Sequence, residues 1–489
     1  MWGRLQSARG FSPAMLLLAA VPAIAQTTPT YDDDVKPLIQ RRCLPCHSAS
    51  EMRASLNLET FQGVVKGGGS GDVVKPGRPN ISMLYKVIAR EEGVPQMPLG
   101  GPKLPDADIQ KVRDWIQGGL LENANSKPLG PAVQSLTYKP STLNKPAQPA
   151  MPGNLPPVTI PEPARPHPVT AMAASPWAPL LAVAGHERIY LYNTSTRTLI
   201  GQIAFPEGIP YVLRFSRDGK SLLAAGGKGV QLGEVVLFDI QTGKRLATIG
   251  KEMDIVLAAD VSADGKLVAL GGPGKIVKVF TVADGKQVYE IKRHTDWITA
   301  LEFSPDGSKL ATGDRAGGIY LWESHNGGIL LNLAEHKDSV TSLSWRPDGL
   351  LLASGGEDGE LVVWNAQDGF PVATDAKAHI PKAKGVVYGK PRSGVLSVQY
   401  MSDGRLVTIG RDKSIHLWTS EGKAISATAP SNALLTKVAA SFDAKQFIAG
   451  DYEGRLVFWD GKQTQITESP SRPPSAPSPS RAGTPGGSD

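Results

Sequence analysis

The two cysteines of this 489-residue chain lie in one five-residue segment with an adjoining histidine, Cys43-Leu-Pro-Cys-His47. The spacing C-x-x-C-H is that of covalent haem attachment, in which each thiol adds to a vinyl group of the porphyrin. The histidine is then held beneath the iron as its proximal ligand. The segment therefore predicts one covalent haem c, attached through Cys43 and Cys46 and ligated by His47.

Three other interpretations of the cysteine pair compete with haem. A thioredoxin-like redox pair would lie in a βαβ pattern, and none surrounds this segment. A structural zinc site needs four ligands, but the chain has no further cysteine and no other histidine before residue 167. A disulfide in an exported protein is also possible. Because the redox-pair and disulfide interpretations leave His47 without a role, the sequence favours haem.

The sixth iron ligand can be narrowed by elimination. A bis-histidine haem would need a ligand from far along the chain, which leaves three methionines in this region. Met52 follows His47 by five residues, a reach of at most ~17 Å, which is too short to pass comfortably around the macrocycle. Met83 falls inside a predicted helix, where methionine more often fills a core. Met97 lies in a proline-flanked loop and can approach the iron without breaking a helix, so Met97 is favoured.

Three predicted helices would position these residues. Asp32-Asp33-Asp34 can cap a helix that presents Val35, Leu38 and Ile39 and delivers Cys43. A second helix is predicted from about Ile81 to Glu91, after a flexible glycine-rich loop at 67–71. A third begins at Pro105-Asp106 and ends at Gly118-Gly119. Two terminal helices packed around a haem form a small, all-α class I cytochrome c plan.

The N-terminus has the parts of a cleavable signal peptide. Arg4 and Arg9 supply positive charge, a short apolar run follows, and Ala23-Ile24-Ala25 gives a cleavage site. The apolar run is too short to span a bilayer, and no later stretch is long enough. We expect residues 1–25 to be removed and the mature protein, beginning at Gln26, to be periplasmic without a transmembrane segment. An uncleaved anchor is the alternative.

Charge says little about the partner. The formal net charge of +6 falls to +4 when Arg4 and Arg9 are removed. Residues 26–125 contain twelve basic and twelve acidic residues, which leaves no overall charge to steer a strongly acidic partner. Nothing in the sequence argues for binding to nucleic acid.

Composition divides the rest of the chain into zones. Residues 26–125 form the haem region, and residues 126–168 contain twelve prolines, as expected of a stiff, extended linker. Residues 169–466 are repetitive, and residues 467–489 are rich in serine and proline, which predicts a disordered tail.

The repeat consists of short strands joined by tight turns. An Asp-Gly pair recurs at spacings of 46, 42, 42 and 55 residues, beginning at Asp218, Asp264, Asp306, Asp348 and Asp403. Alternating apolar segments flank each pair, as in a β-hairpin, and a third strand ends in an aromatic residue such as Trp322 or Trp364. Four strands in about 40 residues are typical of a propeller blade.

The repeats resemble those of WD-repeat β-propellers. Blades four (294–333) and five (336–374) carry the clearest His…Pro-Asp-Gly…Trp landmarks, and weaker copies give seven blades in total. His294 and His336 are expected in hydrogen-bond networks within their blades. The acidic residue at the last tight turn varies, with Asp358 and Asp412 in two blades but Ala316 and Glu453 in others. Blade one has Ser175-Pro176-Trp177 at its turn and blade seven has no glycine after Asp443, so ring closure is less certain.

A basic insertion separates blades five and six. The loop at 375–393 carries Lys377, Lys382, Lys384, Lys390 and Arg392. Such a charge run is usually a solvated loop, and the alternative is a docking surface for an acidic partner or redox protein.

A second resemblance covers about 90 residues around the haem segment. Cys43 to His47, the glycine loop at 66–71, Pro76-Gly-Arg-Pro79, Ser82-Met-Leu-Tyr85, Met97-Pro98 and Asp114-Trp-Ile116 are similar, in that order, to planctomycete-type cytochrome c domains. This resemblance implies that Met97 is the sixth ligand. It also implies a known architecture, in which an all-α class I-like cytochrome c domain is followed by an all-β, seven-bladed WD-type propeller.

Two functions follow as hypotheses. The favoured one is an exported cytochrome that transfers single electrons through a His/Met-ligated haem, with the propeller as a scaffold for redox and other protein partners. The alternative is a periplasmic oxidoreductase whose propeller holds a second cofactor or substrate. His186, His325, His379 and His416 share no position across the blades, so an electron carrier is favoured over a catalyst. A sensor with a labile Met97 is a third possibility.

Overall fold

The computed structural model describes residues 29–69, 71–79, 82–91, 94–129, 138, 145–161, 167–376, 378–381 and 393–467. The chain divides into two compact units, Met1–Ser135 and Leu136–Asp489. The predicted signal peptide, the five basic residues of the 375–393 loop and the tail beyond residue 467 lie outside the described residues.

The first unit is built from short helices around an aromatic core. A π-helical turn (Tyr31–Val35) continues into α1 (Lys36–Arg42) and is followed by a 3₁₀ turn (Arg53–Ser55). The remaining helices are α2 (Phe61–Lys66), α3 (Met83–Ala89) and α4 (Asp106–Gln117). Trp115 of α4 is fully buried, and its ring lies 5.8 Å from Tyr31 and 6.5 Å from Phe61 between centroids. The first helical segment, which begins at Tyr31, and the last helix, α4, therefore pack together in this core.

The helix termini partly follow the sequence. Helix α4 begins and ends where it was predicted to, with Pro105 before it and Gly118 after it. The first helical segment is capped by Thr30, whose hydroxyl accepts from the amide of Asp33. The three aspartates therefore lie in its first turn instead of at its cap. Met83 is the first residue of α3 and is 44% exposed, so the prediction that it fills a core is wrong.

The second unit is a seven-bladed β-propeller, as predicted. Each blade is a four-stranded antiparallel sheet whose strands follow one another in sequence. Blade one contains β1 to β4 (Met172–Ala174, Leu180–Gly185, Arg188–Asn193 and Thr198–Ala204), and blade two contains β5 to β8 (Ile209–Phe215, Ser221–Lys228, Leu232–Asp239 and Arg245–Glu252). Blade three contains β9 to β12 (Ala258–Val261, Leu267–Gly271, Val277–Thr281 and Gln287–Ile291), and blade four contains β13 to β16 (Ile298–Phe303, Lys309–Asp314, Ile319–Glu323 and Ile329–Leu333).

Blades five to seven repeat the same plan. Blade five contains β17 to β20 (Val340–Trp345, Leu351–Gly356, Leu361–Asn365 and Pro371–Asp375), and blade six contains β21 to β24 (Val395–Tyr400, Leu406–Gly410, Ile415–Trp418 and Ala424–Ala427). Blade seven contains β25 to β28 (Leu435–Ala440, Phe447–Asp451, Leu456–Trp459 and Thr464–Thr467). The second and third strands of these blades are almost wholly buried. The fourth strand is half-buried in blade five and exposed in blades six and seven. The core therefore lies between neighbouring blades.

The Asp-Gly pairs form the turns between the first and second strands. The glycines have positive φ, as in Gly219 (72°) and Gly307 (75°), a conformation that glycine adopts without steric cost. In blade seven Ala444 occupies this position with φ of 54°. The Asp443 carboxylate still accepts from Ser441 and Lys445, so the turn survives without its glycine.

The ring closes without exchange of strands between the first and last blades. At several blade junctions a threonine hydroxyl donates to a carbonyl of the next blade, as Thr299 does to Val340 (2.6 Å) and Thr341 to Val395 (2.5 Å). The last junction uses the same bond, from Thr436 to Val169 (2.7 Å). Val169 also donates its amide to Asp451. Blade seven therefore meets blade one as an ordinary neighbour.

Part of the proline-rich stretch packs on the propeller. Ala150 is buried in the core between blades one and two, and the amide of Gly153 donates to Gln241. The guanidinium of Arg188 donates to the carbonyls of Ile160 and Pro161. Within the described part of the chain, no helix has the length and apolar character needed to cross a membrane.

Candidate functional site

The Cys43–His47 segment forms a tight turn at the end of α1. The amides of Cys46 and His47 both donate to the carbonyl of Cys43, at 3.1 and 3.0 Å. This turn brings both thiols and the imidazole to one place, where all three side chains are half-buried. Both cysteines are free thiols. The structure therefore brings together three of the four predicted haem residues.

The imidazole of His47 is oriented by the backbone. Its Nδ1 lies 3.1 Å from the carbonyl oxygen of Arg53, and because a carbonyl only accepts, Nδ1 must donate and carry the proton. In that tautomer the lone pair is on Nε2, which has no hydrogen-bond partner among the residues described. Metal-binding histidines commonly donate their other nitrogen to a carbonyl in this way. The donor set of this turn therefore fits a haem iron.

The glycine-rich loop supports the turn that holds His47. The amide of Gly69 donates to the carbonyl of Ala54 at 2.7 Å, and Gly68 and Gly71 are joined by two backbone hydrogen bonds. A Cβ on Gly68 would lie 2.8 Å from the Ala54 oxygen, closer than real Cβ atoms approach. The close approach of these two glycines therefore places the loop directly against Ala54, the residue after Arg53.

The thiol of Cys43 does not have the properties of a redox-active cysteine. Burial, and then the neighbouring Cys46, raise the pKa of Cys43 to about 11. Redox pairs of the C-x-x-C type work through a lowered pKa that gives a thiolate at neutral pH. The raised pKa disfavours the thioredoxin-like interpretation of the segment.

The first unit has apolar side chains that are incompletely covered. Behind them is the buried core of the unit. The half-buried apolar side chains packed on this core come from the turn, from α2 and α3 and from the segments between them; they are Leu44, Leu56, Val65, Val73, Tyr85, Val87 and Ala89. Apolar surface of this kind is what a porphyrin face covers.

Met97 is placed on a separate loop. Its side chain is half-buried, and its amide donates to the carbonyl of Val87 near the end of α3, at 3.0 Å. The guanidinium of Arg90 also holds this loop through the carbonyl of Gly101 (2.5 Å). Met52 is 55% exposed on the strand-like bridge to His47. The assignment of Met97 as the sixth ligand stays a prediction.

The propeller histidines are used differently. His294 Nδ1 donates to Asp314 and its Nε2 contacts the hydroxyl of Thr312, both at 2.8 Å, while Trp322 Nε1 donates to the same hydroxyl at 2.7 Å. His336 repeats these bonds with Asp358, Ser354 and Trp364, joining three strands of its blade. The expected structural role of both histidines is confirmed.

His379 occupies the same position in blade six. Its Nδ1 bonds Asp412 and its Nε2 bonds Thr408, both at 2.7 Å, and Trp418 donates to the Thr408 hydroxyl at 2.8 Å. The statement that His379 shares no position with the other blades is therefore wrong. The reason is the insertion in blade six, which separates His379 from Thr408 by 29 residues, whereas His294 and Thr312 are 18 apart.

The acidic residue of the network also moves between blades. Asp314 and Asp451 end their second strands. They come two residues before Ala316 and Glu453, the residues at the turn position compared in the sequence. Asp451 is fully buried and accepts from Arg455 Nε at 2.8 Å. Burial tends to raise the pKa of Asp314, but hydrogen bonds from His294 and from backbone amides hold it below its usual range.

Two family models match parts of the chain. Residues 43–99 match planctomycete cytochrome C, a segment that begins at Cys43 and includes Met97. Residues 285–323, 327–365 and 382–419 match the WD domain, G-beta repeat, and no curated protein matches the chain. The first match implies a haem cofactor, and the second implies a surface for protein partners. The chain thus combines a segment similar to planctomycete cytochrome C with a seven-bladed β-propeller that has WD-type repeats.

Proposed function

We propose that the protein is an exported electron carrier with one haem c, attached through Cys43 and Cys46 and ligated by His47 and Met97. The observation that carries this proposal is the state of His47, with Nδ1 bonded to Arg53 and Nε2 free on a turn that also holds both thiols. A class I-like helical arrangement and a cleaved signal peptide are part of the proposal.

The ligand set favours electron transfer over catalysis. When bound, the haem supplies an iron that cycles between the ferrous and ferric states, and His/Met ligation tends to raise its potential. His47 and Met97 together leave no coordination position for a substrate. The Arg53 carbonyl keeps His47 in one tautomer, and the bonds of Met97 and Arg90 to neighbouring backbone groups hold the opposite loop.

The propeller is proposed as the scaffold on which partner proteins dock. Four large apolar side chains are exposed on loops that all lie on one face, between the second and third strands or between successive blades: Val230, Met253, Trp297 and Tyr452. Val230 and Met253 are 85% and 84% exposed. Apolar residues grouped on one face suit a protein-binding surface.

Export to the periplasm is proposed from the N-terminal sequence. The mature protein should begin at Gln26, which intact-mass measurement of protein from the periplasmic fraction would show. A product that retains residues 1–25 in the membrane fraction would contradict the proposal.

Haem attachment is tested with the full-length protein expressed with a cytochrome maturation system. Wild-type protein should keep its haem after denaturation, and Cys43→Ala with Cys46→Ala should lose it entirely. Met97→Ala should change the low-spin spectrum and the reduction potential, while Met83→Ala is the matched control and should change neither. Haem that stays bound in the double cysteine variant, or an unchanged Met97→Ala spectrum, would contradict the corresponding assignment.

A further inference from the structure

A cavity of about 330 Å³ runs along the axis of the propeller. Its wall contains residues from the first strand of every blade, β1, β5, β9, β13, β17, β21 and β25. The cavity also reaches the turns that follow these strands, so it lies toward the face that carries the Asp-Gly turns. Its volume is in the range of small-molecule sites.

The charged groups of this wall are mostly positive. Three cations line it, Arg214, Arg217 and Lys437, against one carboxylate, Glu302. Arg214 Nη2 lies 3.2 Å from Glu302, and Arg217 Nη2 lies 3.9 Å from the same carboxylate. A buried second carboxylate, Asp260, lies 3.5 Å from Arg217. The two arginines therefore share the available acids.

Lys437 of β25 is left without such a partner. It makes no side-chain hydrogen bond or ion pair with any residue that the structure describes. Desolvation, followed by the repulsion of nearby Arg214, lowers the pKa of Lys437 to about 8. Lys437 is half-buried, and an unpaired cation beside another cation is unfavourable where water is partly excluded. An anion placed between the two cations would relieve their repulsion.

The rim of the cavity has an apolar part. The turns after the first strands of several blades contribute Trp177, Pro305, Pro347 and Phe442 to it, beside the hydroxyls of Ser216, Ser402 and Ser441. A cationic interior with a partly apolar rim combines a group that orients an anion with surface that can cover a hydrocarbon body. This combination suits an organic anion better than a bare inorganic ion.

We propose that the axial cavity is a binding site for a small organic carboxylate. Lys437 and Arg214 hold its carboxylate group, and the apolar part of the rim covers the rest of the molecule. This site is independent of the haem assignment, because all of its residues belong to the propeller.

The proposal is tested by calorimetric titration of the full-length, haem-loaded protein at pH 7 with acetate, succinate, citrate and benzoate. At least one carboxylate should bind, and its neutral amide should not. Lys437→Gln should weaken binding at least tenfold, while Lys437→Arg should retain it. Lys445→Gln removes an exposed lysine of the same blade and should have no effect. Melting temperatures of all variants would show whether the fold is intact.

The pH dependence gives a second readout. Between pH 7 and pH 9 Lys437 loses its proton, so binding should weaken in wild-type protein but not in Lys437→Arg. The other charged groups facing it are Arg214, Arg217 and Glu302, with Asp260 beside them. The proposal is overturned if none of the four carboxylates binds or if Lys437→Gln, while folded, binds as wild type does. Phosphate or sulfate competing as well as the best carboxylate would also overturn the assignment to an organic ligand.

Discussion

His47 and three of the propeller histidines differ in how their ring nitrogens are hydrogen-bonded. Each of His294, His336 and His379 uses both nitrogens in bonds of 2.7 to 2.9 Å within its blade. His47 uses only Nδ1, through a backbone carbonyl. A histidine with both ring nitrogens hydrogen-bonded in a buried network has no nitrogen left for a ligand. A histidine whose ring is oriented through one nitrogen can bind a metal ion with the other. The same residue type is therefore structural in the propeller and, under the proposed function, an iron ligand in the first unit.

The first test, which has the largest expected effect, removes one histidine of each kind in turn. His47→Ala should abolish the low-spin, six-coordinate spectrum of the haem, because no other described side chain is positioned on its turn to replace Nε2. The melting transition of the propeller should not change. Absorption spectra and calorimetric scans of the haem-loaded protein measure both.

His294→Ala is the matched variant and should do the opposite. It leaves Asp314 without its imidazole partner and removes the acceptor of the Thr312 hydroxyl, which should cost about 2–4 kcal/mol of propeller stability. The haem spectrum should stay unchanged. A low-spin spectrum in His47→Ala, or a stable propeller in His294→Ala, would remove the distinction between the two kinds of histidine.

The sequence predicted the chemistry of the first unit better than its structure. The Cys43–His47 segment and the ends of α4 follow from local patterns, because a covalent motif and helix caps depend on neighbouring residues. The exposure of Met83 depends on how the helices pack. The Thr30 cap is local, through the Asp33 amide three residues away, but the three following aspartates are equally good candidates for that role in the sequence. The support that Gly68 and Gly69 give to the turn after His47 depends on backbone contacts between segments about 15 residues apart.

In the propeller, the sequence predicted the structure better than the functional positions. Seven blades could be counted because each repeats a pattern of strands and turns, but the functional positions could not be located in the same way. His379 was missed because an insertion changes its spacing, and Asp314 because the acid can come from either of two backbone positions. Lys437 and Arg214 belong to blades seven and two, more than 200 residues apart, and only ring closure places them on one cavity.

Blade six provides a second test, of smaller size. Asp412 accepts from His379 at 2.7 Å and from His416 at 2.8 Å. Only His379 continues the hydrogen-bond chain, through the Thr408 hydroxyl to Trp418, whereas the His416 ring stacks on Trp418. His379→Ala should therefore cost about 2–3 kcal/mol. His416→Ala should cost less than about 1 kcal/mol, since Asp412 keeps its other bonds. Urea unfolding of the two variants measures the difference in the free energy of unfolding. Equal losses would show that the hydrogen bond from His379 to Thr408 adds no stability beyond the bond to Asp412.

The smallest expected effect concerns Ala444, which occupies the turn position that glycine holds in five other blades. The left-handed conformation costs a non-glycine residue about 1 kcal/mol, so Ala444→Gly should relieve that cost. Ala444 is also 3% exposed and packed in an apolar cluster, and loss of a buried methyl group costs about 0.8 kcal/mol. The two effects oppose each other, and we expect a change below about 0.5 kcal/mol.

Gly307→Ala is the control at the equivalent turn of blade four. An added Cβ there would lie 3.4 Å from Ala263 Cβ, which is ordinary contact, so the change introduces backbone strain with little steric overlap. It should destabilise the propeller by about 1 kcal/mol. Ala444→Gly could instead shift the free energy of unfolding by more than about 1 kcal/mol in either direction. Packing of the Ala444 methyl group would then not be the reason that blade seven tolerates its missing glycine. Urea unfolding of both variants, compared with wild type, decides between these outcomes.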